Sequence, residues 1–231
     1  MNHLLMIHQY LKERGELSDI PATGLPFITI SRESGAGGHL LAHVLTADFQ
    51  KYNEFDFFKG WHVFDREICQ VVAEDPELET SFTDLISESY RSEFRDLMSN
   101  LFMGRSEQYV KFKKVFKVVR ILATLGKVIL VGQAAACVTA DMPSGIHLRL
   151  VAPEATRTRW MMKKFNMSKE DAMAMMAQQD ENRRKVAKNF FSRNIDDPLL
   201  YHATFNGDKM TPHEMSYAVI EMLKLRMKQT A

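Results

Sequence analysis

The sequence predicts a three-layer α/β protein: a five-stranded parallel sheet flanked by helices on both faces, with a helical insertion. Three observations carry that expectation. Short apolar runs rich in β-branched residues recur along the chain, Val128-Ile129-Leu130-Val131 being the clearest, and continuous runs of this kind belong to strands buried on both faces. Segments of helical apolar spacing separate these runs, and strands alternating with helices form a parallel sheet. The first strand leads through a glycine-rich loop into a helix, which puts a ligand edge beyond the carboxyl ends of the strands.

Each element has its own signal. Residues 2–14 predict a short amphipathic helix, with Leu4, Leu5, Ile7, His8 and Leu11 at helical spacing. Pro21, Gly24 and Pro26 break the chain. The first strand is Phe27-Ile28-Thr29-Ile30, its loop is Ser31 to Gly38, and a helix follows from about His39 to Lys51. Val63-Phe64 is the second strand, and Asp65 caps a helix through Val72. Residues 76–125 read as two or three helices, one with an apolar face of Leu85, Tyr90, Phe94, Leu97 and Leu101, another with Phe112, Phe116, Val119 and Leu122. After the third strand at 128–131, Gly132 breaks the run and a helix covers about 134–140. Ile146 to Val151 is the fourth strand. Pro153 opens a helix through Lys164. Ser168 and Asp171 begin a long helix to about Phe191. Thr204-Phe205 lies in the last strand. Thr211-Pro212-His213-Glu214 combines a capping box with proline in the first turn, starting a helix to about Met227. The loops at 31–39, 65–66 and 132–134 all fall at the ligand edge.

Composition narrows the function classes. The 30 basic and 29 acidic side chains nearly cancel, which argues against nucleic-acid binding by bulk charge. Met1 to Leu17 lacks the apolar core of a signal peptide, and no apolar stretch approaches the ~20 residues of a membrane span. The two cysteines, Cys69 and Cys137, lie far apart without metal-type spacing, as suits free thiols in a reducing compartment. A soluble cytoplasmic protein without a protein-held metal is the expectation.

The loop Ser34-Gly35-Ala36-Gly37-Gly38 has the form of a phosphate cradle. Glycine admits close backbone approach, and the N–H groups at the start of the next helix attract anions. The full motif ends in Gly-Lys-Ser/Thr. Here Gly38 takes the lysine position, and His39 and Leu40 take the hydroxyl positions. Taken alone, the loop reads as either a phosphate cradle or a plain strand-to-helix turn. Leu40, at the third glycine position of the dinucleotide fingerprint, argues against that fold.

Five blocks in order resemble the cytidylate kinase-like family over about residues 27–225. They are Ile28 to Gly38 with its double glycine, Phe64-Asp65-Arg66-Glu67-Ile68, Val131-Gly132-Gln133-Ala134-Ala135, Leu148 to Pro153 with Arg157 beyond, and Asp197-Pro198 through Tyr201 to Asn206. The resemblance implies a P-loop nucleoside monophosphate kinase fold over 27–231, with residues 1–26 as an N-terminal helical extension, 76–125 as a helical acceptor-binding insertion and about 180–196 as a lid. It implies transfer of the γ-phosphoryl group of ATP to CMP or dCMP, with Mg²⁺. Ser34, Gly35, Ala36, Gly37, Gly38 and His39 would hold the ATP phosphates, with Arg157 near the base or phosphates. Arg32, Asp65, Arg66 and Gln133 would meet the acceptor. Arg183 and Arg184 would act as lid cations, with His39 beside them in catalysis.

The chain departs from the family at His39, where an arginine is usual, and at Gln133, where glycine-arginine-glycine is usual. With Gly38 in the lysine position, three cations are absent from their usual places. A nucleotide-binding protein without turnover, or a kinase for another small acceptor, therefore stands beside the cytidylate reading. Plainer roles stand beside the site residues too: Asp65 as a helix cap, Arg157 paired with Glu154 one turn earlier, and Arg183 and Arg184 on a solvated face. The N-terminal helix packs either on its own domain or on a second copy as a homodimer.

Overall fold

A computed structural model describes residues 3–16, 25–52, 54–86 and 107–230. Five parallel strands form one sheet: β1 (Phe27–Arg32), β2 (His62–Phe64), β3 (Val128–Val131), β4 (Gly145–Val151) and β5 (Ala203–Asn206), in the order β2-β3-β1-β4-β5. The helices are α1 (His3–Gly15), α2 (Gly38–Phe49), α3 (Arg66–Glu74), α4 (Pro76–Asp84), α5 (Glu107–Leu125), α6 (Ala135–Val138), α7 (Glu154–Phe165), α8 (Lys169–Phe191) and α9 (Pro212–Thr230). This is the three-layer α/β architecture, a five-stranded parallel sheet flanked by helices, that the sequence predicts. The apolar face predicted from Tyr90, Phe94, Leu97 and Leu101 lies outside the described residues.

The period-two geometry of strands sorts side chains onto two faces. On one face Ile28, Ile30, Ile129, Val131, Ile146, Leu148 and Leu150 pack with Leu41, Leu45, Val219 and Leu223 of α2 and α9. On the other, Phe27, Phe64, Val128 and Leu130 pack with α3, α4, α5 and α1. Ile7 and Tyr10 of α1 are fully buried there, and the Tyr10 hydroxyl donates to the Gly126 carbonyl at 2.9 Å. So α1 packs on its own chain. Phe116, Val119 and Leu122 of α5 are buried in the same core, with Phe112 packed against it.

On this second face β1 and β4 turn polar. Thr29 lies beside His147 and Ser31 beside Arg149 in the register. Thr29 Oγ1 and His147 Nδ1 are 2.9 Å apart, and burial holds the His147 imidazole down to about 4. Thr29, His147 and Arg149 are buried, and the polar strip leads to the carboxyl edge of the sheet. A separate small cluster of Met161, Ala172 and Met176, with Trp160, Met162, Met167 and Met175 against it, holds α7 to α8.

Candidate active site

A cleft of about 1550 Å³ opens at the carboxyl edge, between the strand ends and the α7–α8 pair. Its floor is the loop after β1. Gly35 and Gly37 have φ of +82° and +90°, a region that favours glycine. A Cβ on Gly35 would stand 2.8 Å from the Arg157 carbonyl oxygen. Gly37 is the N-cap of α2 and brings no side-chain acceptor to the helix start. The first N–H groups of α2 are therefore left for a ligand, at the positive end of its dipole.

The second wall is the turn after β2. Asp65 Oδ1 accepts from the amides of Glu67 (3.0 Å) and Ile68 (3.2 Å), capping α3. Its Oδ2 lies 3.6 Å from His39 Nε2. That contact, helped by the two amides against the opposing effect of burial, draws the Asp65 carboxyl down to about 2. The third wall follows β3, where Gly132, Gln133 and Ala134 have φ of +86°, +54° and +52°. Left-handed backbone at two non-glycine residues costs about 1–2 kcal/mol each, and such strain gathers at functional sites.

From above, α8 reaches down to the loop. The Ser34 amide donates to Asp180 Oδ1 (2.8 Å), and Ser34 Oγ donates to Gln179 Oε1 (2.8 Å). Arg183 Nη1 donates to Ser34 Oγ (2.6 Å) and to Asp180 Oδ1 (2.7 Å). Arg157 Nη1 donates to Asp180 Oδ2 (3.0 Å) and to the Ser34 carbonyl (3.1 Å), while its Nε donates to the Ala152 carbonyl (3.0 Å). Glu33 completes this clasp, 3.4 Å from Arg157 and accepting from the Ala152 amide at 3.1 Å. At the head of the polar strip, Arg149 is 5% exposed and donates to Ser31 Oγ and Asp196.

The cleft is cationic. Burial is the main cause that lowers the Arg32 guanidinium, to about 10, with the neighbouring Arg183 charge adding to it. Arg183 is lowered by burial too, and feels Arg149 and Arg66. At about 10, Arg32 remains charged at neutral pH. No group of three or more His, Cys, Asp or Glu among the described residues is placed to hold a metal ion.

The fold thus brings Arg32, Ser34, Gly35, Gly37, Gly38, His39, Asp65, Arg66, Gln133 and Arg183 onto one cleft, although they come from four separate stretches of chain. Ala36 is buried under the loop. Arg157 lies behind the loop and fastens it, bonded to Asp180 and Glu33. Arg184 donates to Asp196 at 3.0 Å and does not line the cleft. Glu33, Arg149, Gln179 and Asp180 are the polar residues that motif reading passed over. For Arg149 the signal is a lone charge inside the strand Leu148-Arg149-Leu150. Asp180 and Gln179 carry no comparable signal, because their partner Ser34 lies about 145 residues away.

Comparison with known proteins bears on the fold and the family. The chain is similar over its fold to the crystal structure of an uncharacterised protein from Eubacterium ventriosum ATCC 27560, with a TM-score of 0.61 and 19% identity over 86% of this chain and 98% of that one. It also matches a shikimate kinase from Bacteroides thetaiotaomicron, with a TM-score of 0.47 and 14% identity over 86% and 98%. No curated protein matches the chain. The profile of the cytidylate kinase-like family matches residues 27–209, which takes in the whole sheet, the glycine loop and every cleft wall. The chain belongs to the cytidylate kinase-like family.

Proposed function

We propose that the protein is an ATP-dependent nucleoside monophosphate kinase acting on CMP or dCMP, working in the cytoplasm. The observation that carries this reading is the convergence of Arg32, Arg66 and Arg183 with the open amide start of α2 on one cleft. Phosphoryl transfer needs in-line positioning and neutralised charge more than covalent help. An acceptor phosphate oxygen attacks the γ-phosphorus of ATP and forms the new P–O bond. The bond from that phosphorus to the β-phosphate oxygen breaks, and ADP leaves with its electron pair.

In this reading the amides of Gly35 to His39 hold the donor phosphates. Arg66 and Gln133 face the acceptor, Asp65 orients His39, and Arg183 carries the lid charge. Magnesium favours one or two carboxylates together with phosphates and waters. Asp65 already spends one oxygen on the α3 amides and the other on His39, so such a partly hydrated ion would be held chiefly by the phosphates, whose charge it would neutralise. Arg157 and Arg184 serve the lid by holding α8 in place.

The experiment is product formation from Mg-ATP with a panel of nucleoside monophosphates, separated by chromatography. CDP or dCDP above the enzyme-free control is the expected result. A folded sample that binds ATP and forms no diphosphate from any acceptor would overturn the reading. It would favour a nucleotide-binding protein without turnover, to which Gly38 and Gln133 in the places of cations already point.

A further inference from the structure

Gly38 occupies the position where a phosphate loop ordinarily carries its lysine. We propose that Arg32, the last residue of β1, supplies that missing cation and grips the nucleotide phosphates, its side chain passing between the glycines at 38 and 132. The proposal rests on the nucleotide-kinase reading above.

Three independent facts place the side chain. Gly38 stands in the first turn of α2 with φ outside the left-handed region, so its backbone makes no demand for glycine. Space makes that demand: a Cβ there would meet Arg32 Cγ at 3.0 Å and Cδ at 3.1 Å. On the far side a Cβ on Gly132 would collide with Arg32 Nη1 and stand 3.1 Å from Cζ. The stem therefore fills the volume that a lysine at 38 would need, and the head sits at the end of β3.

The Arg32 side chain makes no hydrogen bond and no ion pair with any described residue; it lines the cleft and feels the carboxylates of Asp65 and Asp180 at longer range, along with the like charges of Arg183 and Arg149. Five N–H donors in a fixed fork, left unbonded beside other cations, suit a phosphate. By contrast Arg149, Arg157 and Arg183 are each bonded to protein carboxylates. A lysine at 38 and an arginine at 32 would compete for one volume, so the double glycine and Arg32 form one exchange: the cation comes from the strand before the loop instead of the helix after it.

The test uses the full chain and Mg-ATP, with affinity read by calorimetry and fold by thermal melting. Arg32→Gln keeps the stem over Gly38 and removes the charged head beside Gly132. It should melt as the wild type does and weaken ATP about ten- to a hundredfold. Gly38→Lys should also weaken ATP, by displacing Arg32. The double variant Arg32→Ala/Gly38→Lys should bind ATP more tightly than either Arg32→Ala or Gly38→Lys alone. In a coupled assay, kcat of Arg32→Gln should fall by on the order of 10³. Wild-type affinity in Arg32→Gln would overturn the proposal and leave the kinase reading standing. A double variant no better than Arg32→Ala would overturn the exchange. If the folded wild type binds no ATP at all, the kinase reading itself falls.

Discussion

Asp65 serves two masters at the residue scale. One carboxylate oxygen caps α3 and the other faces His39, and both roles require the charged form. Its folded pKa of about 2, against an ordinary value of 3.8, means that the stabilisation is fully present above about pH 4. It is lost as pH falls toward 2, and amounts to roughly 2 kcal/mol. Stability measured by urea unfolding should therefore decline between pH 4 and pH 2, and Asp65→Asn should flatten that decline while lowering stability at pH 7. An Asp65→Asn protein with an unchanged acid limb would show that other carboxylates set it. Both functions of Asp65 were legible in part. A cap before Arg66-Glu67-Ile68 follows from local chemistry alone, but the His39 contact needs two loops brought together by the sheet. Arg157 shows the converse. Its spacing from Glu154 suggests a helical ion pair, yet its guanidinium goes to Asp180, Glu33 and two carbonyls, because buried partners outbid an exposed one.

Elements differ in how plainly the sequence states them. β3 is found at its predicted bounds, Val128–Val131, since an unbroken apolar run between glycines has few other uses. The start of α9 is equally plain. The Thr211 amide donates to Glu214 Oε2 at 2.7 Å and the Glu214 amide donates to Thr211 Oγ1 at 3.2 Å, the reciprocal pair that the four-residue signature encodes. Helix α1 is different: its periodicity gives the helix but not the surface it covers. Tyr10 answers that question, buried against the rings of Phe64, Phe82 and His62 at 5.2–6.1 Å. Tyr10→Ala should destabilise the protein by about 3–5 kcal/mol, and Tyr10→Phe by about 1 kcal/mol through the lost bond to Gly126. Chemical denaturation reads both. A Tyr10→Ala protein as stable as the wild type would mean that α1 is detached in solution.

For the whole molecule, α8 and the glycine loop are one connected body in this structure. Asp180 accepts from the Ser34 amide, Arg157 and Arg183 together, so a single carboxylate ties α8 to the glycine loop and to α7. Removing one partner of such a partly buried network costs about 3 kcal/mol or more. Asp180→Ala should loosen α8 from the loop, raising hydrogen exchange at residues 179–190 in the absence of nucleotide and leaving β3 and β1 protected. Exchange in α8 equal to that of the wild type would show that Arg183 and Gln179 hold the helix without it. This connection was the least legible part of the site. Arg183 was visible as a cation on a helix face, but which loop that face closes upon depends on the α7–α8 pair folding back over the sheet edge.

The turn after β3 carries a consequence of chirality. Gly132, Gln133 and Ala134 wind in succession with the hand opposite to every helix around them. For Gly132 the sense is indifferent. Gln133 and Ala134 hold a conformation in which their mirror-image amino acids would be at ease, so a synthetic chain carrying D-residues there would keep the same path without the strain. At the mouth of the cleft the backbone runs against the stereochemistry of its own building blocks, and position 133 is where that opposition presents a side chain to whatever the cleft holds.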